Sequence, residues 1–101
     1  MNTTRESFLW QGLAIEVLFT PSYSEGYRRI YGYALAHLQI SAEGHAPLPI
    51  SETGYRSRFE RADNIDAAGG AAAYARAWLD HAARSPAWIE AQEQARQLAL
   101  F

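Results

Sequence analysis

Arginine and aromatic side chains are interleaved between residues 55 and 61, in the order Tyr-Arg-Ser-Arg-Phe-Glu-Arg. Rings that stack on bases, beside cations that contact phosphates, are the combination that single-stranded nucleic acids require. However, Glu52, Glu60 and Asp63 lie among these arginines, and such mixed charge favours surface ion pairs. The net charge of −2 gives no general attraction to phosphate backbones. Direct nucleic-acid binding is therefore not expected.

Residue types that could carry catalysis or bind a metal are few and scattered. His37, His45 and His81 show no ligand spacing, and the chain contains no cysteine. The pair Gly69 and Gly70 precedes a helical pattern, but no Lys-Ser or Lys-Thr follows it, as a phosphate-binding loop would need. We expect no metal, no cofactor and no enzymatic activity.

The last five residues place large apolar side chains at a chain end: Gln97, Leu98, Ala99, Leu100 and Phe101. If this segment is helical, the adjacent Leu100 and Phe101 cannot both face the domain's own core. The pentapeptide resembles the motif by which many bacterial replication and repair proteins dock on the DNA sliding clamp. That resemblance implies an extended peptide, with Gln97 in a polar subsite and Leu98, Leu100 and Phe101 in apolar pockets, so the last helix should end or fray near Arg96.

A simpler interpretation of the same residues remains open. Trp88, Ala91 and Ala95 recur at helical spacing, and Leu98 and Phe101 could extend that apolar stripe into the protein's own core. The two interpretations differ in whether the final side chains are packed or projecting.

A second candidate surface lies on the predicted sheet. Tyr31, Tyr33 and His37 would share the face turned away from the helices, together with Trp10, Ala14, Leu18 and Leu35. An uncovered aromatic face of this kind usually marks a protein partner or self-association as a homodimer. The arginine-bearing strand with Arg56 and Arg58 is a further candidate for contact with a partner.

The elements that position these residues predict an α+β fold in a single domain, residues 1–101. Period-two patterns predict three antiparallel strands, at residues 8–20, 27–42 and 50–60, the last at a sheet edge with Gly54 at a bulge or bend. A 3.6-residue period predicts a helix from Ala71 to Ala82, and Ser85-Pro86 predicts the start of a second helix. A short helical turn could form before Gly69. The predicted architecture is a three-stranded sheet with two C-terminal helices on one face.

The composition is that of a folded protein, with 49% hydrophobic and 20% charged residues. No apolar run is long enough to span a membrane, and the first residues lack the order of a signal peptide. The absence of cysteine suits a reducing compartment. We therefore expect a cytoplasmic protein without a membrane partner.

Three segments together resemble a family of small proteins carried on plasmids, prophages and integrated elements of proteobacteria. They are residues 48–57 (Leu-Pro-Ile-Ser-Glu-Thr-Gly-Tyr-Arg-Ser), residues 67–70 (Ala-Ala-Gly-Gly) and the final pentapeptide. The resemblance brings no established activity. Taken together, the family resemblance and the clamp-like pentapeptide imply a protein that acts as an adaptor or regulator of a mobile element. The same setting also suits an inhibitor of host defence, of the anti-CRISPR kind, acting through its folded surface.

Overall fold

A computed structural model describes residues 3–98 as a four-stranded antiparallel sheet with helices packed mainly on one side. The strands lie side by side in chain order: β1 (Thr4–Trp10), β2 (Leu13–Thr20), β3 (Leu35–Ala42) and β4 (Tyr55–Arg61). The helices are α1 (Glu25–Tyr31), between β2 and β3, and then α2 (Ala62–Ala67), α3 (Ala71–Ala82) and α4 (Pro86–Leu98). The α+β class is as predicted, but the prediction of three strands and two helices is wrong.

The first error is a hairpin within the predicted strand 8–20. Gln11 and Gly12 both have positive φ angles, 51° and 79°, as in the tight turns that join antiparallel strands. Glycine adopts this conformation readily, but glutamine is an unusual residue at the first position, so the turn is poorly marked in the sequence. The turn reverses the chain, and Trp10 pairs with Leu13 across the hairpin.

The second error is α1, which replaces the first part of the predicted strand 27–42. The Ser24 hydroxyl accepts a hydrogen bond from the amide of Tyr27, which caps the helix start. Gly32 ends the helix in the left-handed conformation, and its amide donates to the carbonyl of Arg28. Tyr31 therefore lies on a helix, and the strand begins only at Leu35.

The third predicted strand is shorter than expected. A 3-10 turn (Glu43–His45) and a loop carry the chain from β3 to Gly54, where the backbone bends with φ +75°. The Gly54 carbonyl accepts a hydrogen bond from the amide of Ala42, and β4 begins at the next residue. β4 forms an edge of the sheet, as predicted.

The hydrophobic core lies between one face of the sheet and the helices α2 and α3. Ile15, Val17, Leu38 and Ile40 point from the two central strands into this core, and each is fully buried. Helix α2 contributes Ile65, and the amphipathic pattern predicted for α3 is confirmed, since Ala71, Ala75 and Leu79 are buried. At the start of α3, the Glu6 carboxylate of β1 accepts a hydrogen bond from the amide of Ala72 (3.0 Å).

Helix α4 is attached to the rest of the protein through its first turn. The Ser85 hydroxyl accepts a hydrogen bond from the amide of Trp88, and Pro86 is the first helical residue, so the predicted start is confirmed. The Trp88 ring packs on that of Trp10, with centroids 6.4 Å apart. Residues 89–97 are all exposed. The helix therefore projects from the rest of the protein. The structure, α4 included, extends 57 Å along its longest axis and 23 and 21 Å along the other two.

Candidate binding surfaces

The face of the sheet opposite the core, here called the open face, carries a cluster of three rings. His37 of β3 pairs with Phe59 of β4 in the sheet register, and their rings stack with centroids 4.5 Å apart. Tyr23, in the segment after β2, sets its ring edge-on to both. We call these three residues the open-face cluster. Phe59 and Tyr23 remain 50% and 44% exposed, so ring surface is available for contact.

A second aromatic group, the tyrosine cluster, consists of Tyr27, Tyr31 and Tyr33 at the end of the sheet where α1 lies. The hydroxyls of Tyr27 and Tyr33 are hydrogen-bonded at 2.8 Å, and this bond, with desolvation, raises the pKa of Tyr27 above its ordinary value. The ring of Tyr31 lies 4.4 Å from that of Tyr27 and is 59% exposed. The Arg61 guanidinium sits over the Tyr33 ring at 4.2 Å.

Arg56 and Arg58 lie on the opposite side of the sheet from these two clusters. Their register partners in β3 are Ile40 and Leu38, whose side chains point into the core. The Arg58 guanidinium lies over the Trp78 ring of α3 at 4.6 Å, and Arg56 approaches the same ring at 5.8 Å. These arginines cover the outer edge of the core, where their stems pack and their charges face the rings.

Glu60 holds β4, α2 and α3 together through a polar network beside these arginines. Its carboxylate accepts hydrogen bonds from the Asn64 amide (2.9 Å) and the Tyr74 hydroxyl (2.8 Å), and Arg58 lies 3.6 Å away. The bond from Asn64 is the largest influence that lowers the pKa of Glu60. Desolvation, together with donation to the carboxylate, raises the pKa of Tyr74 to about 12.

The lowered pKa of Glu60 predicts a pH-dependent contribution to stability. A carboxylate with a depressed folded pKa stabilises the protein above its unfolded pKa, and this stabilisation is lost as pH falls through the folded value. Replacement Glu60→Gln should lower the free energy of unfolding at pH 6, and the difference from wild type should shrink as pH falls from about 5 to about 3. Urea titrations across this range measure it, with Glu52→Gln as an exposed control. A difference that stays constant with pH would contradict the assignment.

The five residues predicted for the second surface do not form one site. Tyr31 and Tyr33 come together, but through α1 rather than along a strand, and His37 belongs to the neighbouring open-face cluster. Arg56 and Arg58 face the helices. Trp10, predicted for the uncovered face, is buried in the core, and its indole N–H donates to Asp80 at 2.8 Å. The sequence analysis did not identify Tyr23, which lies between the two predicted strands 8–20 and 27–42, or Tyr27, which it assigned to the second of these strands.

The predicted clamp-docking segment begins in the last turn of α4. Gln97 is exposed, and the helix continues through Leu98, two residues beyond the point predicted for its end. Ala99, Leu100 and Phe101, and the side-chain environment of Leu98, lie outside the described part of the chain. Ala91 and Ala95, which the simpler interpretation placed on a core-facing stripe, are exposed.

No group of three or more histidine, cysteine, aspartate or glutamate side chains that could hold a metal ion occurs within residues 3–98. In the same part of the chain, no helix combines the length and apolar character needed to cross a membrane. The surface depressions beside α4, such as one of about 290 Å³, are lined by side chains including Trp10, Pro47, Trp88 and Gln92. These residues carry no ionisable side chain, so this depression lacks an acid or base for catalysis.

The family model of the KlcB third domain matches residues 3–88. The chain belongs to the KlcB third-domain family. KlcB is a plasmid-associated protein family, which agrees with the resemblance to plasmid proteins at that coarser level. No curated protein and no solved structure matches the chain.

The KlcB family match divides the candidate surfaces into two groups. It contains the whole sheet, α1, α2 and α3, and hence both aromatic clusters and the Glu60 network. It ends at Trp88, the residue that anchors α4 to Trp10. Residues 89–97 of α4, which are exposed, and the clamp-like pentapeptide therefore follow the matched range in the chain.

Proposed function

We propose that this KlcB-family chain is a non-enzymatic adaptor of a mobile genetic element. It docks on the bacterial sliding clamp through Gln97, Leu98, Leu100 and Phe101. The observation that supports the proposal is the attachment of α4: among residues 86–97 only Trp88 is partly buried, and residues 89–97 are exposed. Gln97, the first residue of the pentapeptide, is thus exposed to solvent, where it can meet another protein.

Docking in an extended form requires a small rearrangement of α4. Gln97 and Leu98 are helical in the free protein, so the last turn must unwind before these side chains can enter separate pockets. Helix ends unwind at little cost, because few hydrogen bonds hold the last turn. A short peptide of this kind should bind with micromolar affinity, on the order of −8 kcal/mol.

Calorimetric titration of the purified chain into a bacterial sliding clamp tests the proposal. The double variant Gln97→Ala/Phe101→Ala removes one polar and one aromatic contact and should weaken binding by more than about tenfold. The matched control is Ile89→Ala/Gln94→Ala, which removes one glutamine and one large apolar side chain on the exposed part of α4 but outside the pentapeptide. Absence of binding by wild type, or equal affinity of wild type and the first variant, rules out clamp docking.

A second candidate function is inhibition of a host-defence complex through the folded surface. The exposure of Ile30 (75%) and Tyr31 (59%) on α1 favours it, since large apolar side chains so exposed are suited to partner contact. Deletion of residues 97–101 should leave this activity intact, whereas Tyr31→Ala should reduce it. The opposite pattern would favour the clamp-docking adaptor.

A further inference from the structure

The open face combines stacking rings with polar side chains, beside the apolar Leu9, Leu18 and Leu35. Four strands present it, and apart from Thr20 its strand side chains are half-buried or exposed. Beside the open-face cluster lie Gln39, Ser41 and Ser57, and the Tyr55 hydroxyl donates to the Gln39 side chain at 2.9 Å. A sheet that presents exposed rings beside polar and basic side chains is typical of surfaces that stack unpaired bases.

The charge near the rings also differs from that of the whole chain. The strand positions of the open face and α1 together carry four arginines (Arg5, Arg28, Arg29 and Arg61) and two glutamates (Glu16 and Glu25). Glu16 is paired with Arg5 at 3.7 Å, and Arg61 is paired with Asp63 of α2. Arg28 and Arg29 are exposed, and no carboxylate of the described residues lies within salt-bridge distance of either. The net charge of −2 thus conceals a locally positive surface next to the tyrosine cluster.

We infer that this side of the protein binds single-stranded nucleic acid. Phe59 and Tyr31, the most exposed rings of the two clusters, stack on bases, while Arg28 and Arg29 contact phosphates. Nucleic-acid contact, first considered for all the arginines of β4, is thereby assigned to one face: Phe59 and Arg61 face the open side, whereas Arg56 and Arg58 face the helices. Duplex DNA is excluded as the preferred ligand because its bases are already stacked and their faces are hidden from the rings.

Fluorescence anisotropy with a labelled oligothymidylate of about twelve nucleotides tests this inference. At low salt, Phe59→Ala and Tyr31→Ala should each weaken binding by about fivefold or more. The matched control is Ile89→Ala, because Ile89 is 48% exposed, as Phe59 is 50% exposed, but lies on α4. Circular dichroism confirms that each variant is folded. An equally long duplex should bind more weakly than the single strand.

The salt dependence provides a second readout that a loss of packing would not change. Two phosphate contacts predict a slope of log K against log salt of about −1.4. The double variant Arg28→Gln/Arg29→Gln should bring that slope close to zero. The inference is overturned if folded wild type does not bind the oligonucleotide, as expected of a face reserved for a protein. Duplex binding of equal strength, or equal affinity of Phe59→Ala, Tyr31→Ala and the Ile89→Ala control, overturns it too.

Nucleic-acid binding and clamp docking can fail independently. Oligonucleotide binding depends on the open face and α1, which lie within the KlcB domain, whereas clamp docking depends on residues 97–101. Deletion of those five residues should leave oligonucleotide affinity unchanged, and Phe59→Ala should leave clamp affinity unchanged.

Discussion

Replacement of Gly54 by alanine is expected to lower the free energy of unfolding by roughly 2–5 kcal/mol. Two effects act together at this buried position. The backbone has a φ of +75°, which an alanine adopts only at a cost. In addition, an added Cβ would lie 2.6 Å from the carbonyl oxygen of Ala46 and 2.7 Å from the carbonyl carbon of His45. Because both contacts are with backbone atoms, no side-chain rotation can relieve them.

Gly12→Ala is the control that separates strain from collision at Gly54. Gly12 has nearly the same φ, +79°, but nothing lies within 4 Å of the position that its Cβ would occupy. It should therefore cost only the conformational part, about 1 kcal/mol. Urea unfolding followed by tryptophan fluorescence measures both variants. Equal losses at the two positions would show that the close approach of the 43–46 segment to Gly54 does not occur.

Gly54 also explains why the sequence predicted the third strand imperfectly. The pattern through residues 50–60 suggests a continuous strand, but the loop from β3 must cross back over Gly54 before β4 can pair. Which atoms meet there depends on the packing of His45 and Ala46, which are distant from the strand pattern. The glycine in the sequence predicted a bend here. The sequence could not show that the backbone of His45 and Ala46 approaches Gly54 too closely for any larger residue.

Local signals explain which other elements were predictable. Helix α3 has twelve residues and a clear apolar stripe, and α4 has a serine cap followed by proline, so both could be identified. Helix α1 has only seven residues, and its tyrosines and Ile30 are as compatible with a strand as with a helix. Its markers, Ser24 before it and Gly32 after it, are weak alone.

The candidate surfaces depend more on tertiary structure than the elements do. His37 and Phe59 stack only because β3 and β4 pair in one particular register, and Tyr23 joins them only because α1 diverts the chain between β2 and β3. Arg58 faces Trp78 because the same register pairs it with Leu38, whose side chain points into the core. Alternation within β4 does indicate that Arg56 and Arg58 share one face and that Tyr55, Phe59 and Arg61 share the other. What covers each face is not encoded locally.

The two proposed binding activities, oligonucleotide binding and clamp docking, depend on different parts of the structure. The open-face rings rest on the sheet, whose other side is anchored by the core, so their geometry should depend on the stability of the fold. The pentapeptide follows a helix held through Trp88 and, in the proposed docking, would bind in extended form, so its affinity should depend little on core packing. A substitution that weakens the core should therefore affect oligonucleotide binding before clamp docking.

Replacement of Leu79 by alanine supplies that substitution and is expected to cost about 2–5 kcal/mol of unfolding free energy. Leu79 is fully buried where α3 packs on the sheet, and truncation leaves a cavity in the core cluster to which Ile15 and Leu38 also belong. Leu9→Ala is the control, because this leucine is 67% exposed on the open face of β1 and should change stability by less than about 0.5 kcal/mol. Urea unfolding measures the free energy of unfolding of both variants. Similar decreases in the two would mean that α3 does not pack on the sheet through Leu79.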